Sequence, residues 1–459
     1  MDPNKTKPDR TMVTQSQLDR EVELDALESH VREALRRARK AGATAAEASA
    51  HTSQGLSVAV RLGEVETLEH MQDRGINVTV YIGKRTGHAS SADLRVQSIE
   101  ACVDRAMEIA RYTQEDSYNG LADIELLATE FPDLDLWHPG SVDADTAIER
   151  ALACEAAGRA DKRITNSEGA SFNAGLGLGL YGNSNHFIGR SAGTRFGQSC
   201  ILLAGEGSGM QRDYSYDSRR NMQDLESPRQ TGAEAARRTI RRLNARRLPT
   251  GEMPVLFSSE VAKGLIGHLA GAISGTALYR NASFLKDTLG EVLFPGWLNI
   301  LERPRMLRGA GSASFDGEGV VTRERKIIDA GVLQGYVMSS YSARRLGLQT
   351  SGNSGGVRNL LLEPGGEGSD DLIREMQNGF YVTEVMGQGI SLVTGDYSRG
   401  AAGFLVENGE ISYAVEEVTI AGNLRDMFRN IVGAGNNVDT RGNIHAGQVL
   451  ISGMMVAGE

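Results

Sequence analysis

Hydrophobic side chains recur at helical spacing near the start of the chain and then give way to alternation. The first stripe contains Leu18, Val22, Leu27, Val31, Leu35 and Ala38. Gly42 follows this stripe as a helix terminator. Between residues 45 and 91 apolar and polar positions alternate, with turn signals at Gly63, 73–75 and Gly83. A helix followed by four antiparallel strands is therefore predicted, and apolar spacing over 94–109 predicts a second helix.

The same order of elements returns between residues 140 and 247. A helical pattern over 145–159 precedes strand patterns at 174–180 and 200–204, and another helical pattern covers 232–244. The glycines that alternate in 174–180 favour a closely packed strand, because the acidic residue and the strand-to-helix context of a dinucleotide fingerprint are missing. The repeated order predicts an internal duplication.

The last part of the chain begins with an apolar strand that leads directly into a helix, over residues 254–275. Ser258 or Ser259 suits the helix N-cap, and Glu260 falls in the first turn. Hairpins are predicted around Gly331 and at Asn408-Gly409, with short helices at 341–346 and 370–377. The predicted fold is α+β, in which duplicated helix–antiparallel strands–helix units precede a β-rich C-terminal domain.

These patterns divide the 459 residues into a tail and three domains. Residues 1–16 are polar and aperiodic, which is typical of a disordered tail. The domains are predicted at 17–125, 140–247 and 252–459. A chain of this length is too long for one ordinary core, so several domains are expected.

Composition bears on the cellular compartment of the protein and on whether it binds nucleic acid. The net charge of −10 and the 5% aromatic content argue against a nucleic-acid surface. The three cysteines, Cys102, Cys154 and Cys200, are widely spaced and odd in number, as in reduced proteins. No signal-peptide core and no run of about 18 apolar residues is present, so we expect a cytoplasmic protein without a membrane segment.

One dense basic run interrupts this acidic chain. It consists of Arg237, Arg238, Arg241, Arg242, Arg246 and Arg247. Because no aromatic or Gly-rich recognition element accompanies it, a solvated face or a docking strip for an acidic partner is favoured over DNA binding.

Three segments together resemble a known family. They are the strand and helix at 254–275, the glycine-rich stretch at 387–410 and the segment at 418–430. In sequence and order they resemble the TldD/TldE (PmbA) metallopeptidase family, nearest to its TldE/PmbA branch, and the resemblance extends from about residue 45 to the C-terminus. The resemblance implies a two-subunit cytoplasmic peptidase that acts on unfolded or leader-like peptides.

The resemblance also marks a degenerate metal motif. The metal-bearing TldD branch carries H-E-x-x-x-H where this chain has Ser259, Glu260 and Gly264, and the counterpart of its cysteine ligand falls near Gly435 and Asn436. No cysteine follows Cys200. We therefore expect no cofactor in this chain and zinc in a TldD-like partner.

His268 is the one nearby histidine that could replace a missing zinc ligand. His268 follows Glu260 by two helical turns, about 12 Å along the axis, which is too far for both to bind one ion. The simpler interpretations are that Glu260 interacts favourably with the helix dipole and that His268 is packed in a core or an interface.

Candidates for the substrate cleft come from the segments that carry the resemblance. They are Asp396, Tyr397, Arg399 and Asn423. For each, a turn or ion-pair role is an equal alternative. We assign no catalytic residue to this chain, and we expect a homodimer when the partner is absent.

Two other classes of function stay open. One is a regulatory binding protein of the kind called a modulator of DNA gyrase, which would need an exposed docking face. The other is a hydrolase with its own serine nucleophile, which is disfavoured because no Gly-x-Ser-x-Gly elbow lies between a strand and a helix.

Overall fold

The computed structural model describes residues 19–140 and 142–458. The predicted tail at 1–16 lies outside the described residues. Helices and antiparallel strands alternate in the first half, and short strands and helices fill the second half. The predicted α+β fold, with a β-rich C-terminal region, is confirmed.

The N-terminal half is built on one six-stranded sheet. Its elements are α1 Arg20–Lys40, β1 Ala45–Arg61, β2 Glu64–Ile82, β3 Arg85–Ser91, α2 Val96–Tyr112, α3 Ala144–Gly158, β4 Ile164–Asn183, β5 Ile188–Ala204, β6 Gln211–Arg219 and α4 Pro228–Arg241. The strand order is β3-β2-β1-β4-β5-β6. Every neighbouring pair is antiparallel. Strands from both predicted N-terminal units therefore lie in the same sheet.

The first unit contains three strands, so the prediction of four was wrong. The turn expected at 73–75 does not form, because Asp73, Arg74 and Gly75 stay in register with Ser53, Thr52 and His51 of β1. Main-chain hydrogen bonds to β1 outweigh the local turn preference of these residues. β2 is consequently a single long strand.

The helices cover one face of this sheet in two groups. α1 and α2 bury Val31 and Val103 against Val78 and Val80 of β2. α3 and α4 cover Phe172, Cys200 and Leu202 in a second cluster. The two helices of the second group approach very closely, because a Cβ added at Gly232 would lie 2.0 Å from the carbonyl oxygen of Cys154. All three cysteines are buried and free.

The C-terminal half contains two sheets. Its elements are β7 Gly251–Phe257, α5 Ser259–Ala272, α6 Gly275–Tyr279, β8 Ile300–Glu302, β9 Arg325–Asp329, β10 Val332–Leu333, α7 Ser340–Leu346, β11 Leu360–Leu362, α8 Ser369–Met376, β12 Gly379–Met386, β13 Asp396–Glu407, β14 Glu410–Asn423, α9 Leu424–Arg429, β15 Ile431–Ala434, β16 Ile444–His445 and β17 Val449–Ala457. The strand orders are β14-β13-β12-β7-β17-β15 and β10-β9-β8-β11-β16. β14 also pairs with β17, so five strands of the larger sheet close into a ring.

α5 is the central helix of this half. Ser258 caps it by accepting a hydrogen bond from the backbone N–H of Val261. Its apolar face, including Leu265 and Leu269, is buried in the largest core. The predicted strand, cap and helix are confirmed, and the first turn of α5 is directed at the N-terminal sheet.

Two further features concern the predicted Asn408-Gly409 turn and the expected lack of a membrane segment. Asn408 and Gly409 both have positive φ, 54° and 77°, in the turn that joins β13 to β14. No helix within the described ranges is long and apolar enough to cross a membrane.

Candidate functional site

The first turn of α5 meets β6 and α4 at Glu260. The Tyr214 hydroxyl of β6 donates a hydrogen bond to Glu260 Oε1 at 2.5 Å. The other carboxylate oxygen, Oε2, accepts hydrogen bonds from an amino group of Arg238 in α4 at 3.1 Å and from an amino group of Arg441 at 3.4 Å. Only 17% of the Glu260 side chain is exposed. Its carboxylate therefore joins the N-terminal sheet to the C-terminal domain.

These contacts decide the charge of Glu260. Burial alone would raise its pKa, but the charge of Arg238, the hydrogen bond from Tyr214 and the charge of Arg441 outweigh burial. The pKa of Glu260 is consequently lower than that of a free glutamate. At neutral pH the group is an anion held by two guanidiniums, which does not suit a general base.

A second ion cluster lies beside the first. Arg441 contacts both carboxylate oxygens of Asp439, at 2.9 and 2.8 Å, and Lys263 Nζ lies 2.7 Å from Asp439 Oδ2. Burial opposes ionisation of Asp439, but these hydrogen bonds lower its pKa to about 2. Arg441 also lies over the ring of Tyr216, 4.2 Å from the centroid. The two clusters share Arg441 and form one network.

The structure brings the degenerate metal-motif positions to this network. Ser259 Oγ donates a hydrogen bond to the carbonyl oxygen of Asn437 at 2.7 Å, so the start of α5 touches the segment at 435–439. Gly435 forms a backbone hydrogen bond with Gln448. Gly264, one turn after Glu260, is exposed, and an added Cβ would have no atom within 4 Å.

The residues at this place do not fit a zinc ion. Zinc sites in proteins use three or four imidazole, thiolate or carboxylate ligands. Here Glu260 and Asp439 are already paired with cations, and the amino group of Lys263 lies beside Asp439. No group of three or more His, Cys, Asp or Glu residues in 19–140 and 142–458 is arranged to hold a metal.

Two arginines of the basic run, Arg238 and Arg242, are half-buried where the N-terminal sheet meets the C-terminal domain, and the other four are exposed. Arg238 and Arg242 flank Asp213 at 3.5 and 3.6 Å. Arg241 lies over the Phe404 ring and Arg246 over the Tyr413 ring, 4.6 and 4.9 Å from the centroids. Arg238 and Arg242 depart from the predicted solvated face, because their acidic partner comes from a distant segment of the same chain, whereas Arg241 and Arg246 are exposed.

The four candidate cleft residues separate into two places. Asp396 and Asn423 are paired at one end of the β13–β14 ladder. Asn423 Nδ2 donates to the carbonyl oxygen of Thr394 at 3.0 Å, and the Thr394 hydroxyl donates to Asp396 Oδ2 at 2.6 Å. Asp396 is exposed at this end of the ladder.

Tyr397 and Arg399 lie towards His268 of α5. Tyr397 is only 4% exposed, and its ring meets the His268 ring edge to face with centroids 6.1 Å apart. Burial raises the pKa of Tyr397 to about 12. Burial and the nearby charge of Arg399 lower the pKa of His268, so this histidine is a packed, neutral residue. Two nitrogens of Arg399 lie 3.4 Å from the carbonyl oxygens of Met386 and Val385.

Sequence reasoning missed the residues that surround Glu260. They are Asp213, Tyr214, Arg238, Lys263, Asp439 and Arg441. One signal was available in 211–219, where polar side chains occupy both faces of a strand, including the face that is buried. A strand of this kind must find polar partners on both sides.

Comparisons with known proteins agree over nearly the whole chain. Three domain profiles of one family match in order: PmbA/TldA metallopeptidase domain 1 at residues 46–110, the central domain at 137–243 and the C-terminal domain at 250–458. The chain is 50% identical to Metalloprotease PmbA of Escherichia coli O157:H7 over 90% of this chain and 92% of that protein. It is 44% identical to a Metalloprotease PmbA homolog of Haemophilus influenzae over 95% of this chain and 98% of that protein.

A solved structure shares the whole fold. A protein of Bacteroides thetaiotaomicron described as a modulator of DNA gyrase superposes with a TM-score of 0.90 at 27% identity, over 94% of this chain and 99% of that one.

Proposed function

Because this chain belongs to the PmbA/TldD metallopeptidase family, we propose that it is the metal-free subunit of a two-subunit zinc peptidase. The observation that carries the proposal is the state of Glu260, the remaining residue of the metal motif. Its carboxylate is held by Arg238, Arg441 and Tyr214 instead of facing an open ligand position. The partner is a TldD-like subunit that supplies the zinc.

The charges around Glu260 support the proposal that the partner, and not this chain, holds the zinc. Arg238, Lys263 and Arg441 place three cations around the position where the TldD branch is expected to hold its ion. Like charges at such short range in a partly buried site repel strongly, so a divalent cation would have to displace these side chains. The same cations satisfy Glu260 and Asp439, which makes the network a structural replacement for a metal.

In the proposed complex this chain contributes to binding and orienting the peptide. The exposed Asp396 and its partner Asn423 offer a carboxylate and an amide, and Arg399 of the same strand contributes a guanidinium at a second place. Unfolded or leader-like peptides are the proposed substrates, because an extended peptide can pair its main chain with a strand edge of the β-rich domain largely without regard to its sequence. The zinc-dependent cleavage belongs to the partner.

The proposed setting is the cytoplasm, and a homodimer is proposed for the isolated chain. The three free cysteines support a reducing compartment. A surface reserved for a partner subunit favours self-association when that partner is absent. Light scattering on the purified chain should give about twice the 49.3 kDa chain mass, and a monomer at micromolar concentration would contradict the dimer.

One experiment tests the central proposal. The chain is purified alone and mixed with its TldD-like partner, and zinc content and peptidase activity are measured for both samples. We expect no stoichiometric zinc and no activity for the chain alone, and one zinc per partner with activity after mixing. A tightly held zinc in the isolated chain, retained after mild chelation, would overturn the proposal, as would a partner that is equally active without this chain.

A further inference from the structure

A cavity of about 350 Å³ lies between the edge of the N-terminal sheet and the C-terminal domain. β5, β6 and the residues after β6 form one wall, and the loops at 306–310 and 440–445 form the other. Its polar lining consists of Arg195, Ser218, Arg219, Arg220, Asp224, Arg308, Thr440 and His445. An acidic protein therefore has a small cavity to which four arginines and one carboxylate contribute.

Two of these arginines have carboxylate partners. Arg219 pairs with the buried Asp217 at 3.1 Å. Arg308 lies between Asp135 and Asp224, at 2.5 and 2.8 Å. Their charges are compensated within the chain, so they shape the cavity without needing a ligand.

Arg195 and Arg220 differ from this pair. Arg195 Nε donates to Ser218 Oγ at 3.1 Å, and the amino groups of Arg220 donate to the carbonyl oxygens of Thr194 and Ala310 at 3.2 and 2.6 Å. Within the described ranges neither forms an ion pair with a carboxylate. Arg220 Nε is also buried without a hydrogen-bond partner.

Both guanidiniums belong to the lining of the same small cavity. Burial and, second, the charge of Arg195 lower the pKa of Arg220. Gly193 makes room for Arg220, since an added Cβ would lie 3.0 Å from one of its amino groups. Two guanidiniums that line one cavity without a carboxylate partner suit the binding of an oxyanion.

We propose that this cavity binds a small oxyanion, a carboxylate or phosphate group, through Arg195 and Arg220. The hydroxyl groups of Ser218 and Thr440 line the same space and provide further donors. Because the two walls belong to the N-terminal sheet and the C-terminal domain, a bound anion joins them. Binding therefore stabilises the folded chain, since a ligand that binds only the folded state lowers its free energy.

The test uses the full chain at constant ionic strength, with sodium chloride exchanged for the probe. Inorganic phosphate is titrated by calorimetry and in thermal unfolding. In parallel, a short acetylated peptide with a free C-terminal carboxylate is compared with its amidated counterpart. Saturable binding of phosphate identifies a phosphate-type ligand, and binding of the free-carboxylate peptide alone identifies a carboxylate. If neither probe binds, the proposal fails.

Variants show whether the cavity is responsible. Arg195→Gln should weaken binding about 10- to 100-fold, because it removes a charged hydrogen bond. Arg195→Lys should keep part of the affinity, since the charge remains without the planar fork. Arg212→Gln, an exposed arginine of β6 that pairs with Glu168 outside the cavity, is the matched control and should bind like the unchanged chain. Unchanged binding by Arg195→Gln, or equal loss in Arg212→Gln, would overturn the assignment.

Discussion

Tyr214 of the N-terminal sheet and Glu260 of the C-terminal domain share a hydrogen bond of 2.5 Å from hydroxyl to carboxylate. This contact places the remaining glutamate of a metal motif inside a junction between two parts of the chain. Tyr214 is itself packed under the Arg238 guanidinium, 5.2 Å from the ring centroid. Glu260 thus contributes to how the two halves are held together, and this role can be measured.

Glu260→Gln should destabilise the chain. The amide has nearly the same shape but no charge, so Arg238 and Arg441 lose a partner in a site with little solvent. We expect a loss of about 1–3 kcal/mol in the free energy of unfolding, measured with urea. The matched control is Glu168→Gln, which breaks the exposed pair with Arg212 and should cost less than about 1 kcal/mol. Equal effects of the two variants would show that Glu260 has no special structural role.

The pH dependence of stability should depend on Asp439. Its pKa in the folded chain is about 2, below the ordinary value of 3.8. A carboxylate that is more acidic when folded stabilises the fold above its ordinary pKa, and this contribution is lost as the pH falls through the folded value. Glu260 acts in the same direction because its pKa is also lowered.

The measurement compares urea unfolding of the unchanged chain and Asp439→Asn over a pH series. The stability difference should be full at neutral pH, decline below about pH 4 and nearly vanish near pH 2. A difference that stays constant over this range would mean that Asp439 is not the titrating group.

Two glycine substitutions should change stability in opposite directions. Gly232→Ala places a Cβ 2.0 Å from the Cys154 carbonyl oxygen where α4 touches α3, so the helices must separate, at a cost of about 1–3 kcal/mol. Gly264→Ala adds a Cβ into open space on an exposed helical position and should stabilise by about 0.5–1 kcal/mol. Thermal unfolding of both variants gives the signs, and destabilisation by Gly264→Ala would show an unrecognised contact there.

Arg399→Ala should weaken peptide cleavage by the mixed complex. If Arg399 holds substrate, losing a charged hydrogen bond lowers kcat/KM about 10- to 100-fold. Assembly and the partner's zinc content should be unchanged. Arg374→Ala, an exposed arginine of α8 that pairs with Asp371, serves as the control and should leave cleavage unaltered. Normal turnover by a fully assembled Arg399→Ala complex would remove this residue from the substrate site.

Local signals in the sequence were sufficient for much of the fold. The Ser258 cap, the start of α5 and the Asn408-Gly409 turn each depend on neighbouring residues, so they could be predicted from the sequence alone. The missing turn at 73–75 shows the limit of such signals. There the conformation is determined by pairing with β1, in which the partner of Gly75 is His51, far outside the local turn.

The surroundings of the candidate site were harder to predict, because they depend on contacts between distant segments. Nothing near Glu260 in sequence indicates Tyr214, Arg238 or Arg441, which are supplied by β6, α4 and the loop before β16. The motif comparison could therefore identify which ligands had been lost, but it could not show what had replaced them. The pairing of Arg238 and Arg242 with Asp213 could not be predicted for the same reason.

The pairing of β1 with β4 has a consequence for how the chain folds during synthesis. β1 is synthesised on the order of a hundred residues before β4. One edge of β1 therefore stays unpaired while α2, α3 and their connection are synthesised. A ribosome-bound fragment ending after α2 should therefore be an aggregation-prone intermediate that requires chaperone protection. Cutting the chain between α2 and α3 would likewise leave two fragments with open strand edges, and we expect them to recover their structure only when they are present together.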